Sequence, residues 1–206
     1  MTGLQKSEKG LSYFHPLGEL YLDFVGDRRR YQKTSHRGKN ELIAKALGRT
    51  SGVQVVWDLT AGLCEDSLFL LQLGFEVHAV ERNPIIAELA QDARSRALPV
   101  RPEFEKFHLY CGEAEAFLKT IPSKASIYFD PMFSDPREKS ALPRKEMQIF
   151  RDLVGKDPDA KELLQKILSL HSGRVVVKRP LKAEALREPV THSFKGSSVR
   201  YDLYSG

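Results

Sequence analysis

Cysteine is scarce in this chain: Cys64 and Cys111 are the only two in 206 residues. Two thiols cannot build a disulfide framework, and no His/Cys group has zinc-site spacing, so a disulfide-stapled scaffold and a zinc finger are excluded. Long apolar runs are missing as well. Nothing approaches the roughly 18 consecutive apolar residues of a membrane-spanning helix. Residues 1–10 are polar and lack the apolar region of a secretory signal. A cytoplasmic protein with no membrane partner and no metal is therefore expected. Internal repeats and low-complexity tracts are also absent, which excludes repeat arrays. What is present suits a globular domain: 41% apolar residues, enough for one α/β domain plus a short extension. The net charge of +5 and a pI near 9.1 favour a polyanionic partner over an acidic or neutral one.

Glycine is sparse at the place where it matters most. Val53–Ser67 (V-Q-V-V-W-D-L-T-A-G-L-C-E-D-S) runs from a β-branched segment through Asp58 into a tight turn, then into an apolar segment opened by Glu65 and Asp66. This is the pattern of strand, turn and helix start. In open α/β sheets the ligand sits outside the carboxyl end of such a strand. A nicotinamide site wants G-x-G-x-x-G here. Only Gly62 is present, and Cys64 stands in the place of a second glycine. A turn with an acidic strand end and no phosphate cradle fits S-adenosylmethionine, which carries no phosphate. A plain β–α turn is the structural alternative.

The rest of the chain alternates in the same way. Residues 1–18 read as loosely ordered or peripheral, and Glu19–Val25 as a strand. Asp27–Lys39 is the densest basic segment, with Arg28, Arg29, Arg30, Lys33, Arg37 and Lys39 around Tyr31 and His36. Basic groups interleaved with an aromatic ring suit a nucleic-acid backbone and an unstacked base, although a charge run alone is more often a solvated loop. Asn40–Leu47 reads as a short helix. A second strand, Glu76–Val80, ends at Glu81-Arg82. Glu81 lies 23 positions after Asp58, near the spacing of about 20 at which an acidic residue meets ribose hydroxyls. Pro84 starts a helix over Ile85–Ser95. A third strand, Phe107–Tyr110, ends near Glu113-Ala114, a place that can contact an adenine ring.

The fourth strand, Ala125–Phe129, runs into Asp130-Pro131-Met132-Phe133. A carboxylate at a strand end, followed by Pro, an apolar residue and an aromatic, resembles the D/N-P-P-Y/F signature of amino-group methyltransferases. An exocyclic purine amine is a poor nucleophile because its lone pair is delocalised. Hydrogen bonds from that amine to Asp130 and to the Pro131 carbonyl would favour a pyramidal nitrogen, and Phe133 could stack on an extruded base. Ser134–Arg144 is a polar loop long enough to serve as a lid or substrate contact. Helices over Arg144–Val154 and Asp159–His171 follow. A fifth strand, Arg174–Lys178, brings Lys178 and Arg179 to the same sheet edge as candidate phosphate contacts. Val190–Lys195 and Val199–Tyr204 read as a terminal hairpin.

Taken together, Asp23–Gly26 with the arginine-rich stretch, Thr60–Leu63, Glu81–Pro84, D-P-M-F at 130–133, K-S-A-L at 139–142 and V-V-V-K-R-P at 175–180 resemble the RsmJ family of bacterial 16S rRNA guanine-N2 methyltransferases. The resemblance covers nearly the whole chain, from about Leu20 to Tyr204. It implies a class I methyltransferase (Rossmann-like) fold: a doubly wound, mostly parallel sheet with a C-terminal antiparallel hairpin. Residues 1–39 would form an extension with a strand and a basic arm, and 40–206 the methyltransferase domain. It implies methylation of one guanine near the 3′ end of 16S rRNA; the expected partner is 16S rRNA or the small ribosomal subunit, and the expected state a monomer. Its cofactor positions map onto Glu65, Asp66, Glu81, Arg82, Glu113, Ala114 and Asp130, beside Asp58 and Gly62 of the turn. D-P-M-F does not itself choose the base, so an N6-adenine methyltransferase remains open. So does a non-catalytic ribosome-assembly factor with a relic cofactor pocket.

Overall fold

The computed structural model describes residues 2–26, 37–132 and 145–205, with residues 37–41 described by their backbone alone. The first segment corrects an expectation. Residues 3–21 are not loose but form a three-stranded antiparallel sheet: β1 (Gly3–Ser7), β2 (Gly10–His15) and β3 (Gly18–Tyr21). Its stability comes from partners distant in sequence. Asp92 and Arg96 lie one turn apart on a later helix. Asp92 accepts from the Leu11 N–H at 3.0 Å. Arg96 donates to Asp92, to the Tyr21 hydroxyl and to the Leu22 carbonyl, with its guanidinium 4.7 Å from the centre of the Tyr21 ring. The strand expected over Glu19–Val25 stops at Tyr21, because Asp23 caps a turn by accepting from the Val25 and Gly26 N–H groups.

The β-branched runs build one seven-stranded sheet. Its strands are β4 (Val55–Asp58), β5 (Glu76–Glu81), β6 (Phe107–Cys111), β7 (Ser126–Phe129), β8 (Arg174–Pro180), β9 (His192–Lys195) and β10 (Val199–Ser205), in the order β6-β5-β4-β7-β8-β10-β9. The first five are parallel to one another. The terminal hairpin adds β10 antiparallel to β8, with β9 outside it. The helices are α1 (Arg37–Ala46), α2 (Glu65–Gln72), α3 (Pro84–Ala97), the single-turn α4 (Ala114–Phe117), α5 (Lys145–Val154) and α6 (Ala160–Leu170). None of the described helices is long and apolar enough to cross a membrane.

Period-two alternation within the strands explains the two cores. Val56, Val77, Tyr128 and Val176 face one side, with residues of α1, α2, α3 and α5. Trp57, Val80, Ile127, Phe129, Val175 and Val177 face the other, with α4 and α6. A sheet buried on both faces needs near-continuous apolar strands, and that is how these segments read. The chain runs outward from β4 to β5 and β6, then returns to β7 on the other side of β4. That reversal leaves a crevice at the carboxyl ends of β4, β5 and β7.

The β4–α2 turn carries two unusual features. Cys64 takes a left-handed conformation, φ 62° and ψ 17°. This is the backbone shape that a second glycine would adopt freely, and a side chain there costs about 1–2 kcal/mol. Asp58 is buried, with Oδ1 accepting from the Thr60 N–H at 3.0 Å and Oδ2 from the Ser67 hydroxyl at 2.5 Å. Burial pushes the Asp58 carboxyl up to about 7, against the opposing pull of these two hydrogen bonds.

Two predictions follow from this turn. The native Asp58 holds a proton that the unfolded chain releases near pH 3.8, so its ionisation opposes folding as pH rises from there towards about 7. Asp58→Asn keeps the shape of the group without the charge. In urea unfolding it should match wild type near pH 4 and exceed it above pH 7, by an amount approaching about 4 kcal/mol. Equal pH dependence in the two proteins would contradict the assignment. The second prediction concerns the thiols. Cys64 is buried and its pKa is held well above the usual thiol value by burial and by Asp58 and Glu81, whereas Cys111 is exposed. A thiol reagent at neutral pH should modify one cysteine in the native protein, and peptide mapping should place it at Cys111.

Candidate active site

The crevice is lined at its centre by Thr60, Gly62, Glu81, Arg82, Glu113, Ala114, Asp130 and Met132. Leu59, Val80, Phe129, Phe150, Val154 and Leu163 give it apolar walls, and Asp157 and Asp159 close one side. Of the residues assigned from sequence, Gly62, Glu81, Arg82, Glu113, Ala114 and Asp130 meet here. Asp58 lies beneath the turn, behind Thr60. Glu65 and Asp66 open α2 outside the crevice lining.

Four amides of the turn, those of Thr60, Ala61, Gly62 and Cys64, are consumed within the protein. Thr60 N–H goes to Asp58, and Ala61 N–H to the Val80 carbonyl. Gly62 N–H goes to Glu81 Oε2 at 2.7 Å, and Cys64 N–H to the Ala61 carbonyl. Glu81 uses its other oxygen, Oε1, to accept from Asn83 N–H, also at 2.7 Å. Burial raises the Glu81 pKa, and these two backbone bonds pull it back. Gly62 has φ 51°, and a Cβ there would meet the Phe150 ring at 3.0 Å, so both backbone shape and space require glycine.

The β7 end is tied to the β4 end. The Asp130 N–H donates to Thr60 Oγ1 at 2.7 Å. Met132 is held at both backbone groups by Asp157, whose Oδ2 accepts from Met132 N–H at 2.6 Å and whose own N–H donates to the Met132 carbonyl at 3.2 Å. Arg82 pairs with Asp157 and, at 3.4 Å, with Asp159. Asn83 caps α3 and donates to the Leu153 carbonyl. The ends of β5 and β7 and the α5–α6 loop are thus linked through Asp157. The sequence reading missed Thr60 and Asp157 as site residues. Asp157 sits in the short break between two helices, and no local motif marks it.

Lys178 was assigned to an RNA phosphate, and the structure places its charge elsewhere. Its Nζ lies 2.6 Å from Asp66 Oδ2 and 2.8 Å from Asp130 Oδ2. The Tyr128 hydroxyl donates to Asp66 Oδ2 at 2.6 Å. Strand register explains the meeting: Tyr128 pairs with Val176, and two residues further along each strand come Asp130 and Lys178, on the same face. Burial alone would lower the Lys178 pKa, but the two carboxylates hold it well above the usual lysine value. Arg179 faces the opposite way, is 8% exposed, and donates from Nε to the Glu184 carbonyl. Neither residue presents a free cation at the mouth. Phe133, Arg28, Arg29, Arg30, Tyr31, Lys33 and His36 lie outside the described residues, as do the side chains of Arg37 and Lys39 and the loop over 134–144.

One group escaped the spacing argument against metals. Glu76, His78 and His108 bring potential ligand atoms within 4.8 Å of one another across β5 and β6. They form a hydrogen-bonded ladder: His78 Nε2 pairs with Glu76, its Nδ1 with the Tyr110 hydroxyl, and the ring stacks between Trp57 and His108.

The lining fits a cationic cofactor. Five carboxylates, Glu81, Glu113, Asp130, Asp157 and Asp159, stand around one guanidinium, and the Gly62 amide that borders the crevice is already taken by Glu81. A pyrophosphate would be repelled, whereas a sulfonium with an ammonium group would be attracted. Apolar walls stand beside Glu113 and Ala114, and the Glu81 carboxylate borders the same crevice.

Comparison with known proteins agrees with this geometry. Residues 5–206 match the family model described as "Putative SAM-dependent methyltransferase". The protein called ribosomal RNA small subunit methyltransferase J in Bdellovibrio bacteriovorus is 45% identical over 188 residues, which cover 90% of this chain and 73% of that one. The protein of the same name in Dechloromonas aromatica is 43% identical over 209 residues, covering 98% and 84%. The crystal structure of the SAM-dependent methyltransferase NGO1261 from Neisseria gonorrhoeae superposes with a TM-score of 0.75 at 32% identity, covering 98% of this chain and 81% of that one. The chain therefore belongs to the family of SAM-dependent methyltransferases that includes ribosomal RNA small subunit methyltransferase J, and it has the class I methyltransferase fold.

Proposed function

We propose that this protein methylates the exocyclic N2 of one guanine near the 3′ end of 16S rRNA, acting in the cytoplasm as a monomer. The observation that carries the reading is the meeting of Gly62, Glu81 and Asp130 in one crevice, with Asp130 heading D-P-M-F. The names of the relatives support rRNA of the small subunit as the substrate. Bound S-adenosylmethionine supplies an electrophilic methyl group on a sulfonium. The chain's own part is positioning and electrostatics.

Glu81 holds the ribose end, and Glu113 and Ala114 border the base. Asp130 Oδ1 accepts no hydrogen bond among the described residues, and neither does the Pro131 carbonyl. These two acceptors fit the two N–H bonds of a guanine amine. Drawing on both N–H groups leaves the nitrogen lone pair to form the new N–C bond as the C–S bond breaks. The nitrogen then carries one proton too many and a positive charge, which Asp130 stabilises until the proton leaves to solvent. Phe133 is the proposed stacking partner of the base. Arg28, Arg29, Arg30, Tyr31, Lys33 and Arg37 form the proposed RNA-binding arm, for which their charge is the support.

Two substitutions separate the roles. Asp130→Ala should lower methyl transfer by about 10²–10³-fold or more while cofactor binding is at most moderately weakened. Labelled methyl transfer to small subunits and to naked rRNA, followed by mapping of the modified nucleotide, measures this. Full activity in that variant, or methyl found on an adenine, would overturn the reading. Glu81→Ala should instead weaken S-adenosylmethionine binding by about 10–100-fold in calorimetry, the loss expected for hydrogen bonds to a charged acceptor.

A further inference from the structure

We propose that Lys178 is a positioning residue of the methyl-transfer site: by bridging Asp66 and Asp130 it pins one oxygen of the Asp130 carboxylate beside a fixed positive charge and leaves the other oxygen to the substrate amine. The inference rests on the reading of Asp130 as the amine acceptor and adds a residue that acts only through it.

The geometry is specific. A single ammonium lies 2.6 Å from Asp66 Oδ2 and 2.8 Å from Asp130 Oδ2. Asp66 cannot swing away, because the same oxygen accepts from the buried Tyr128 hydroxyl. Asp130 is held at its backbone by Thr60 and at its side chain by Lys178, so one carboxylate edge is fixed towards the sheet and Oδ1 is left over.

The surroundings explain why a cation is needed there. Asp58 from β4, Asp66 from α2, Tyr128 from β7 and Tyr201 from β10 surround Asp130, with Lys178 and Arg179 of β8 as the two cations that act on it. Burial raises the Asp130 pKa and Asp66 adds to the rise, while Lys178 and Arg179 oppose it. At Asp66, burial would also raise the pKa, but Lys178 and the Tyr128 hydroxyl outweigh it and lower it. The net shift at Asp130 is upward, and Lys178 is the larger of the two cations opposing it, so without Lys178 the carboxyl would hold its proton to higher pH. A protonated carboxyl cannot stabilise the charge that develops on the amine.

The role predicts shifts of opposite sign. Lys178→Met should raise the Asp130 titration, and with it the acid limb of the kcat pH profile, by about 1–3 pH units, the range by which a neighbouring cation lowers a carboxyl. Lys178→Arg should restore most of the wild-type profile. Asp66→Asn removes an anion and leaves Lys178 wholly to Asp130, so the same limb should move to lower pH. Carbon-detected NMR titration of the Asp130 carboxyl reads these shifts without any RNA. Thus an enzyme inactive on rRNA would sink the proposed function and still leave the role of Lys178 to be decided. Opposite shifts in the Lys178→Met and Asp66→Asn variants support the proposal. If Lys178→Met does not fold, Lys178→Gln, which keeps the length and a donor without the charge, takes its place in the same titration. A titration unmoved in the folded variants, even with lower kcat, would mean that Lys178 is structural only and would overturn it.

Discussion

The site depends on one constraint: the backbone amides at the carboxyl ends of β4, β5 and β7 are satisfied by the protein's own side chains. Gly62 N–H is taken by Glu81, Thr60 N–H by Asp58, Asp130 N–H by Thr60, and Met132 N–H by Asp157. A buried amide left unpaired costs about 1–3 kcal/mol, so each of these bonds is needed by the fold itself. The chemical consequence is larger. A turn whose amides are free binds phosphate, whereas one whose amides are capped by carboxylates presents negative charge. The same parallel-sheet crevice thereby turns from an anion site into a cation site.

The capping groups also couple the parts of the crevice to one another. Thr60 belongs to the β4 turn and fixes the first residue of D-P-M-F. Asp157 belongs to the α5–α6 loop, fixes the third, and is itself paired to Arg82 at the end of β5. Methyl transfer depends on the reacting atoms meeting in line at close range, and small displacements are costly. Two side-chain clamps, on the first and third residues of one four-residue motif, meet that demand better than loop packing would. They also tie the position of the motif to the strand end that faces the ribose.

Much of this was legible in the sequence, and the reasons for success and failure differ by element. The strands from β4 to β8 were readable because a sheet buried on both faces needs largely apolar runs, as at Val55–Trp57, Ile127–Phe129 and Val175–Val177. Gly62, Glu81 and Asp130 were readable because each sits where such a run stops. The N-terminal sheet was not, since β1 is largely exposed and its anchors, Asp92 and Arg96, lie some 80 residues away. Cys64 read as a departure from a glycine turn, yet the backbone there is the one glycine would take, so the turn survives the substitution. Lys178 was read as a cation at the mouth. Its position at a strand end was right, but its partners depended on register across β7 and β8, and no local pattern carries that.

The carboxylate cluster then needs a reason beyond the fold. Asp66, Asp130 and Lys178 together carry a net negative charge, and Asp58 adds another group whose ionisation burial resists. Buried ion clusters of this kind are seldom a net gain for stability, and an apolar replacement of similar volume is often as good or better. The proposed reaction gives the cluster a use. An amine that accepts a methyl group passes from neutral to cationic while the sulfonium becomes neutral. Positive charge therefore moves from the cofactor to the nitrogen, and a fixed negative charge beside the nitrogen favours that movement without any reorganisation at the moment of transfer. Lys178 limits the excess of the Asp66–Asp130 pair to about one charge, because its single ammonium bridges two carboxylates. On this view the lysine sets how much negative charge the amine meets, and the stability given up in burying the cluster is the cost of a field present before the substrate arrives.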